Sequence, residues 1–114
     1  MYEYKIKEIK SIYDGDTLIV VVDLGFGVFK LEKIRLSGID TPELRGEEHD
    51  MGIKARDYLR GILFSAMADE KEVLIKTFKD RKGKYGRYLG EIFINGESVN
   101  KMLVDAGHAK IYLQ

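Results

Sequence analysis

Three short stretches of the 114-residue chain gather the side chains that could do chemistry. Asp14-Gly15-Asp16-Thr17 stands at the head of a β-branched run. Arg35-Leu36-Ser37-Gly38-Ile39-Asp40-Thr41-Pro42-Glu43 runs off the end of an alternating segment. Lys82-Gly83-Lys84-Tyr85-Gly86-Arg87 crosses a basic, glycine-containing loop. Arg35 lies between Ile34 and Leu36, so if those two face a core, Arg35 faces the other way. Asp40 and Glu43 follow on the chain that leaves this segment, and Asp16 opens a strand that should lie beside it. If these ends meet, two or three carboxylates share a small region next to an arginine. Such carboxylates repel one another unless a cation sits among them. Hard oxygen donors of this kind suit calcium or magnesium. Arg87, arriving from the opposite hairpin, would place a second guanidinium beside the cation. That pairing fits a phosphate under attack, because negative charge builds up on its oxygens. Glu43 could then orient or deprotonate a water molecule.

Taken singly, each stretch has a plainer reading. Asp-Gly-Asp-Thr makes an ordinary turn, Thr41-Pro42-Glu43 opens helices and turns, and Lys84-Tyr85-Gly86-Arg87 suits a solvated hairpin tip. Arg35 and Glu43 could form a structural ion pair. The order and spacing of the three along one chain are what point to a site. His49 and His108 read as solvated residues or local caps and are placed outside it.

The elements that must position these residues follow from periodicity. Residues 2–13 alternate in places, and the change of phase between Ile6 and Ile9 predicts a strand with a bulge. Asp14-Gly15 is a tight turn, and 17–23 a β-branched strand covered on much of both faces. Residues 28–37 alternate again, which completes a three-stranded meander. Residues 40–50 read as a loop. From Gly52 the period becomes helical, with Ala55, Tyr58, Leu59, Ile62, Leu63 and Ala66 on one face of a helix over 52–68. Strands are predicted at 72–78 and 87–94. A short helix capped by Ser98 or Gly96 would turn Val99, Met102, Leu103 and Ala106 inward and stop at Gly107. Residues 109–113 read as extended. Three strands, a helix, two strands and a helix make a mainly β, α+β chain with the arrangement of a five-stranded OB-fold barrel, in one domain over 1–114. Many functions share that fold.

Composition bounds the rest. Lys plus Arg is 19 and Asp plus Glu is 19, so the net charge is zero. Strong nucleic-acid binders normally carry excess cations, but a catalyst that releases its product can work with a local basic patch. With no cysteine, disulfides and thiolate metal sites are excluded. The apolar runs are too short for a membrane span. The start, Met1-Tyr2-Glu3-Tyr4-Lys5, lacks the apolar core of a secretory signal, so a cytoplasmic location is expected.

The sequence resembles the thermonuclease family, the staphylococcal-nuclease-like domains. The resemblance rests on Asp14-Gly15-Asp16-Thr17, Arg35, Ile39-Asp40-Thr41-Pro42-Glu43, Tyr85-Gly86-Arg87, Val99-Asn100 and Gly107-His108-Ala109-Lys110, and covers nearly the whole chain. It implies an OB-fold barrel and calcium-dependent hydrolysis of DNA or RNA that leaves 3′-phosphates. It implies that Asp16 and Asp40 ligate calcium through their side chains and Thr41 through its backbone carbonyl, with Asp14 standing behind them. Arg35 and Arg87 would bind the scissile phosphate, and Glu43 would be the general base or position the water. Lys84 and Tyr85 would contact a terminal phosphate, and Asn100 would tie the second helix to the barrel. The substrate would be DNA or RNA, preferably single-stranded, and the protein a monomer or weak dimer.

The sequence departs from the family pattern in three places. The loop after Glu43 is acidic at Glu47, Glu48 and Asp50, where relatives often carry lysines. The sequence ends at Gln114, so the family's usual C-terminal third helix is expected to be missing. The family's base-stacking tyrosine aligns with Leu113, one residue past Tyr112, and a one-residue shift reverses the face of a strand. Tyr112 is nevertheless the candidate for that role. The competing reading is a non-catalytic OB-fold module for nucleic acid or protein, with Tyr85, Tyr88 and Tyr112 stacking on bases. Retention of the acids and arginines favours catalysis.

Overall fold

The computed structural model describes residues 2–77 and 86–112. The elements in chain order are β1 (Tyr2–Asp14), β2 (Thr17–Asp23), β3 (Phe29–Leu36), β4 (Ile39–Asp40), a 3-10 turn (Gly46–Glu48), α1 (His49–Ala68), β5 (Val73–Thr77), β6 (Tyr88–Ile94), β7 (Glu97–Ser98), α2 (Val99–Asp105) and β8 (Lys110–Ile111). The strands run β3-β2-β1-β5-β6-β7, and a parallel pairing of β3 with β6, from Ile34 opposite Tyr88 to Leu36 opposite Gly90, closes the sheet. Five strands, β1, β2, β3, β5 and β6, form the closed barrel, as the OB-fold expectation required. Closure pairs the strand edges that an open sheet would expose.

The barrel's curvature is written in β1. Ile6, Ile9 and Ile12 are all buried although they lie three residues apart rather than two. Register shifts against β2 fall at Ile6/Glu8, Ile9/Ser11 and Ile12/Asp14. Each bulge sets two residues against one, so the next isoleucine still points inward while the strand coils. The sequence predicted one such irregularity, and the strand contains three. In β2, Leu18, Val20 and Val22 face the core while Ile19 and Val21 are half-covered on the outer face.

Helix α1 covers the bottom of the barrel with Ala55, Leu59, Leu63 and Ala66, the apolar stripe expected at helical spacing. Leu59 and Leu63 are completely buried, and truncating either to alanine would cost about 2–5 kcal/mol. The helix begins at His49, three residues before the apolar period does. Its first turn is solvent-facing, so hydrophobic spacing carries no sign of it. That turn is fastened by its own side chains: Glu43 N–H donates to Glu48 Oε1 at 3.3 Å, and His49 Nδ1 lies 2.6 Å from the Leu44 carbonyl. The segment read as a loop over 40–50 therefore contains the end of β4, a 3-10 turn and the start of α1.

Helix α2 is capped by Ser98, whose Oγ accepts from Lys101 N–H at 3.1 Å. It ends as expected at Gly107, where His108 N–H donates to the Leu103 carbonyl at 2.8 Å. Its inward face is Val99, Asn100 and Leu103. Ala106, expected inside, is exposed because it lies past the last turn. The extended tail narrows to the two residues of β8, which pair with β4 as Ile39 opposite Ile111 and Asp40 opposite Lys110. No helix of the described residues is long and apolar enough to cross a membrane.

Candidate active site

Antiparallel pairing sets Thr17 directly opposite Arg35. Because Leu18, Ile34 and Leu36 take the inner face, Arg35 emerges on the outer face at the open end of the β2–β3 ladder, as alternation predicted. Asp16 lies one residue before Thr17, and β4 brings Asp40 back past the same point. The result is a single guanidinium between two carboxylates: Arg35 Nη1 lies 3.4 Å from Asp16 Oδ2, and Arg35 Nη2 lies 3.5 Å from Asp40 Oδ1. Arg35 Nη1 also donates to the carbonyls of Leu36 at 2.6 Å and Ile39 at 3.0 Å, so the side chain stitches together the turn that carries Asp40.

Asp16 is the most enclosed of the acids, its side chain 8% exposed against 52% for Asp40. Its Oδ2 accepts from Thr41 N–H at 3.1 Å and its Oδ1 from the Thr17 hydroxyl at 3.3 Å. Asp14 Oδ1 accepts from Asp16 N–H at 3.1 Å. Burial pushes the Asp14 carboxyl from its ordinary 3.8 up to about 6, and the neighbouring Asp16 carboxyl adds to the rise. The turn between the two acids is packed tightly. A Cβ on Gly15 would come within 2.9 Å of both Ala55 in α1 and Thr41. Gly15 thus lets the acidic turn, the helix and the segment carrying Thr41 meet without a side chain between them.

Arg87 joins Asp14 and Thr17 in lining a groove of about 690 Å³. The structure thus brings Asp14, Asp16, Arg35, Asp40, Thr41 and Arg87 to one end of the barrel. Glu43 is different. It lies exposed on the loop beyond Thr41, and among the described residues its carboxylate makes no ion pair with Arg35. Its position is set from behind, where its carbonyl packs against Gly52 of α1. A Cβ there would fall 2.3 Å from that oxygen. Tyr112 stands apart from Asp14 and Arg87, half-exposed in a second groove with Leu89, Ile39 and Ile111, and its N–H donates to the Gly38 carbonyl at 2.8 Å. Lys84 and Tyr85 lie outside the described residues.

The donors fit a hard divalent cation. Asp16 and Asp40 offer only oxygen, and the Thr41 hydroxyl is buried with no hydrogen-bond partner among the described residues. Among the described residues no three acidic or histidine side chains cluster as a ligand set. An ion there would complete its shell with main-chain or water oxygens, as calcium and magnesium commonly do.

Asn100 is buried behind the site. Its Oδ1 accepts from Ile92 N–H at 3.2 Å, and its Nδ2 donates to the carbonyls of Ser37 at 2.8 Å and Gly90 at 3.4 Å. It ties α2 to β6 and to the turn after Arg35. Sequence reasoning missed two basic residues, Arg56 and Arg60 of α1, which line the same groove as Arg87. Their spacing of four was the available signal, but on a helix it is equally that of a solvated face.

Comparison with known proteins agrees with this architecture. The profile of staphylococcal nuclease homologues matches residues 33–114. An uncharacterized protein of Methanocaldococcus jannaschii is 33% identical over 132 residues, covering 98% of this chain and 61% of that protein. The endonuclease YhcR of Bacillus subtilis is 31% identical over 91% of this chain, and the thermonuclease of Staphylococcus hyicus 29% identical over 87%. The chain spans only 9% of the Bacillus protein's length and 54% of the Staphylococcus protein's. The match over most of the chain, on a barrel that brings Arg35 to Asp16 and Asp40, shows that this protein belongs to the family of staphylococcal nuclease homologues.

Proposed function

We propose that this protein is a calcium-dependent phosphodiesterase that hydrolyses DNA or RNA within the chain and leaves 3′-phosphates. The observation that carries the reading is the Arg35 guanidinium between the carboxylates of Asp16 and Asp40, next to Asp14 and Thr17, which line a groove together with Arg87. A binding module needs no carboxylates next to the place where a phosphate sits, because they repel it. Relatives named as an endonuclease and a thermonuclease support the same class.

In this reading Asp16 and Asp40 hold the calcium ion through their side chains and Thr41 through its carbonyl, with Asp14 behind Asp16. The ion, when bound, supplies positive charge beside the phosphate. Arg35 and Arg87 donate hydrogen bonds to the non-bridging phosphate oxygens and stabilise the charge that grows there. Glu43, at the solvent lip, receives the water, either taking its proton or aiming its lone pair at phosphorus. The bond from the water oxygen to phosphorus forms and the bond from phosphorus to the 5′ oxygen breaks; the attacking water gives up one proton, to Glu43 or to solvent, and the departing 5′ oxygen takes one up from solvent, so the step balances. Lys84 and Tyr85 contact a terminal phosphate of the strand, and Tyr112 offers its ring to a base.

Incubation with heat-denatured DNA, in calcium and separately in chelator, tests the reading. Calcium-dependent fragments with 3′-phosphate ends are expected. Binding without cleavage in either condition would make the protein a nucleic-acid-binding module instead.

A further inference from the structure

We propose that the groove leading from Arg87 to the outer face of α1 holds the substrate strand beyond the scissile phosphate, with Lys33, Arg56 and Arg60 meeting its phosphates. The inference rests on the nuclease reading above and extends it to how the strand is gripped.

The chain has no net charge, yet its charge is unevenly spread. Among the described residues, Lys33, Arg56, Arg60 and Arg87 all line this one groove, against a single acidic lining residue, Asp14. The groove's volume, about 690 Å³, falls within the roughly 300–1,000 Å³ of sites that enclose small-molecule ligands. Asp14 and Thr17 line it and both hydrogen-bond Asp16, so the groove runs up to the residues that flank the Asp16–Arg35–Asp40 cluster. A polyanion threaded past that cluster explains why the cations are collected here.

The arginines are also suitably held. Arg56 and Arg60 are separated by four residues of α1, one turn and about 6 Å of rise, so they share a face and can take neighbouring phosphates. Arg60 Nη2 donates to the Ile12 carbonyl at 3.0 Å, which anchors its guanidinium against the end of β1 and leaves further N–H donors for a ligand. Among the described residues the nearest acid is Asp57, 3.2 Å from Arg56 and 4.0 Å from Arg60. Its side chain is 58% exposed, and solvent-screened pairs of this kind compete weakly with a phosphate. Tyr13, exposed on the groove wall, presents a ring on which a base can stack.

The test separates binding from cutting. Fluorescence anisotropy with a labelled single-stranded oligonucleotide, in chelator so that nothing is cleaved, compares the wild type with Arg56→Ala, Arg60→Ala and Arg60→Lys. Each alanine variant should weaken binding several-fold. Each should also flatten the dependence of log K on log salt by about 0.7, the slope of one phosphate that the protein no longer neutralises. Arg60→Lys should keep the wild-type slope. In calcium, the variants are compared on a substrate with a single phosphodiester and on a long one. A long oligonucleotide should show a raised KM and unchanged kcat in the alanine variants. If Arg56→Ala and Arg60→Ala bind the oligonucleotide with wild-type affinity and slope, the groove is not the strand's path. If the wild type binds through these arginines but never cuts, the nuclease reading fails and the groove assignment stands.

Discussion

Arg35 and Asp16 meet across the open end of the β2–β3 ladder, 3.4 Å apart, with both side chains nearly out of solvent. The contact couples the site to the fold, because Asp16 also accepts the Thr41 N–H and Arg35 also holds the Leu36 and Ile39 carbonyls. Asp16→Ala should therefore do two things. It should weaken calcium binding, measured by titration calorimetry. It should also destabilise the metal-free protein by about 1–3 kcal/mol, since a buried amide and a guanidinium lose their acceptor. Unchanged calcium affinity would remove Asp16 from the ligand set, and an unchanged denaturation midpoint would remove its structural role.

Arg87 tests the phosphate role through kcat. Arg35 holds two main-chain carbonyls, so its truncation mixes lost catalysis with a loosened turn. Arg87→Ala should lower kcat by about 10²–10³-fold, the usual scale for a donor aimed at transition-state charge, with KM little changed. A variant that cuts at the wild-type rate would show that Arg87 does not act on the reacting phosphate.

Asp14 gives a pH dependence whose sign is fixed by its environment. Its carboxyl is raised from 3.8 to about 6 in the folded protein, mainly by burial. A raised acid favours the folded state while protonated. The contribution is thus fully present below about pH 3.8 and is lost as pH rises through about 6. Removing the charge with Asp14→Asn should make the chelated protein more stable than wild type above pH 6 and narrow the difference near pH 4. Denaturant midpoints measured across that range check this, and a wild-type advantage at pH 7 in chelator would contradict it.

Asn100 should behave as a structural residue. Its amide satisfies the Ile92 N–H and the Ser37 and Gly90 carbonyls where water is excluded. Asn100→Ala should cost about 1–3 kcal/mol through those stranded groups. At temperatures where the variant remains folded, it should cleave within a few-fold of wild type. A large loss of kcat in a fully folded variant would mean that the Ser37 turn transmits more to Arg35 than these hydrogen bonds suggest.

Much of this arrangement was legible in the sequence because it depends on alternation. The inward positions of Leu18, Ile34 and Leu36 fix the outward position of Arg35, and pairing then sets Arg35 opposite Thr17. Other features leave no periodic trace. The first turn of α1 faces solvent, so its polar residues read as loop. Successive bulges let Ile6, Ile9 and Ile12 all point inward, a spacing that mimics neither a flat strand nor a helix. Asn100 takes an inward position of α2 because main-chain groups of β6 need a partner there, which hydrophobic patterning cannot register. Arg56 and Arg60 look like any solvated helix face until the barrel places the end of β1 beside them.

Gly52 is the sharpest case of a residue whose purpose only the fold reveals, and it yields a prediction with a built-in control. Two glycines lie inside α1, Gly52 and Gly61. Glycine in a helix interior is worse than alanine by roughly 0.5–1 kcal/mol, so propensity alone says that both replacements stabilise. At Gly61 a Cβ would meet nothing within 4 Å, and Gly61→Ala should raise the melting temperature with no change in activity. At Gly52 the added carbon would sit 2.3 Å from the Glu43 carbonyl oxygen and 2.7 Å from its carbon, both main-chain atoms that cannot swing aside. Overpacking of this kind costs about 1–3 kcal/mol, which outweighs the propensity gain. The strain is relieved only by shifting the backbone that carries Glu43. Gly52→Ala should therefore be less stable than wild type and should lose activity. That activity should not return on lowering the temperature to where the variant is fully folded, because the displaced group is the proposed partner of the attacking water. If Gly52→Ala instead melts higher, as Gly61→Ala should, and cleaves normally, then the contact between α1 and the Glu43 loop does not position the water.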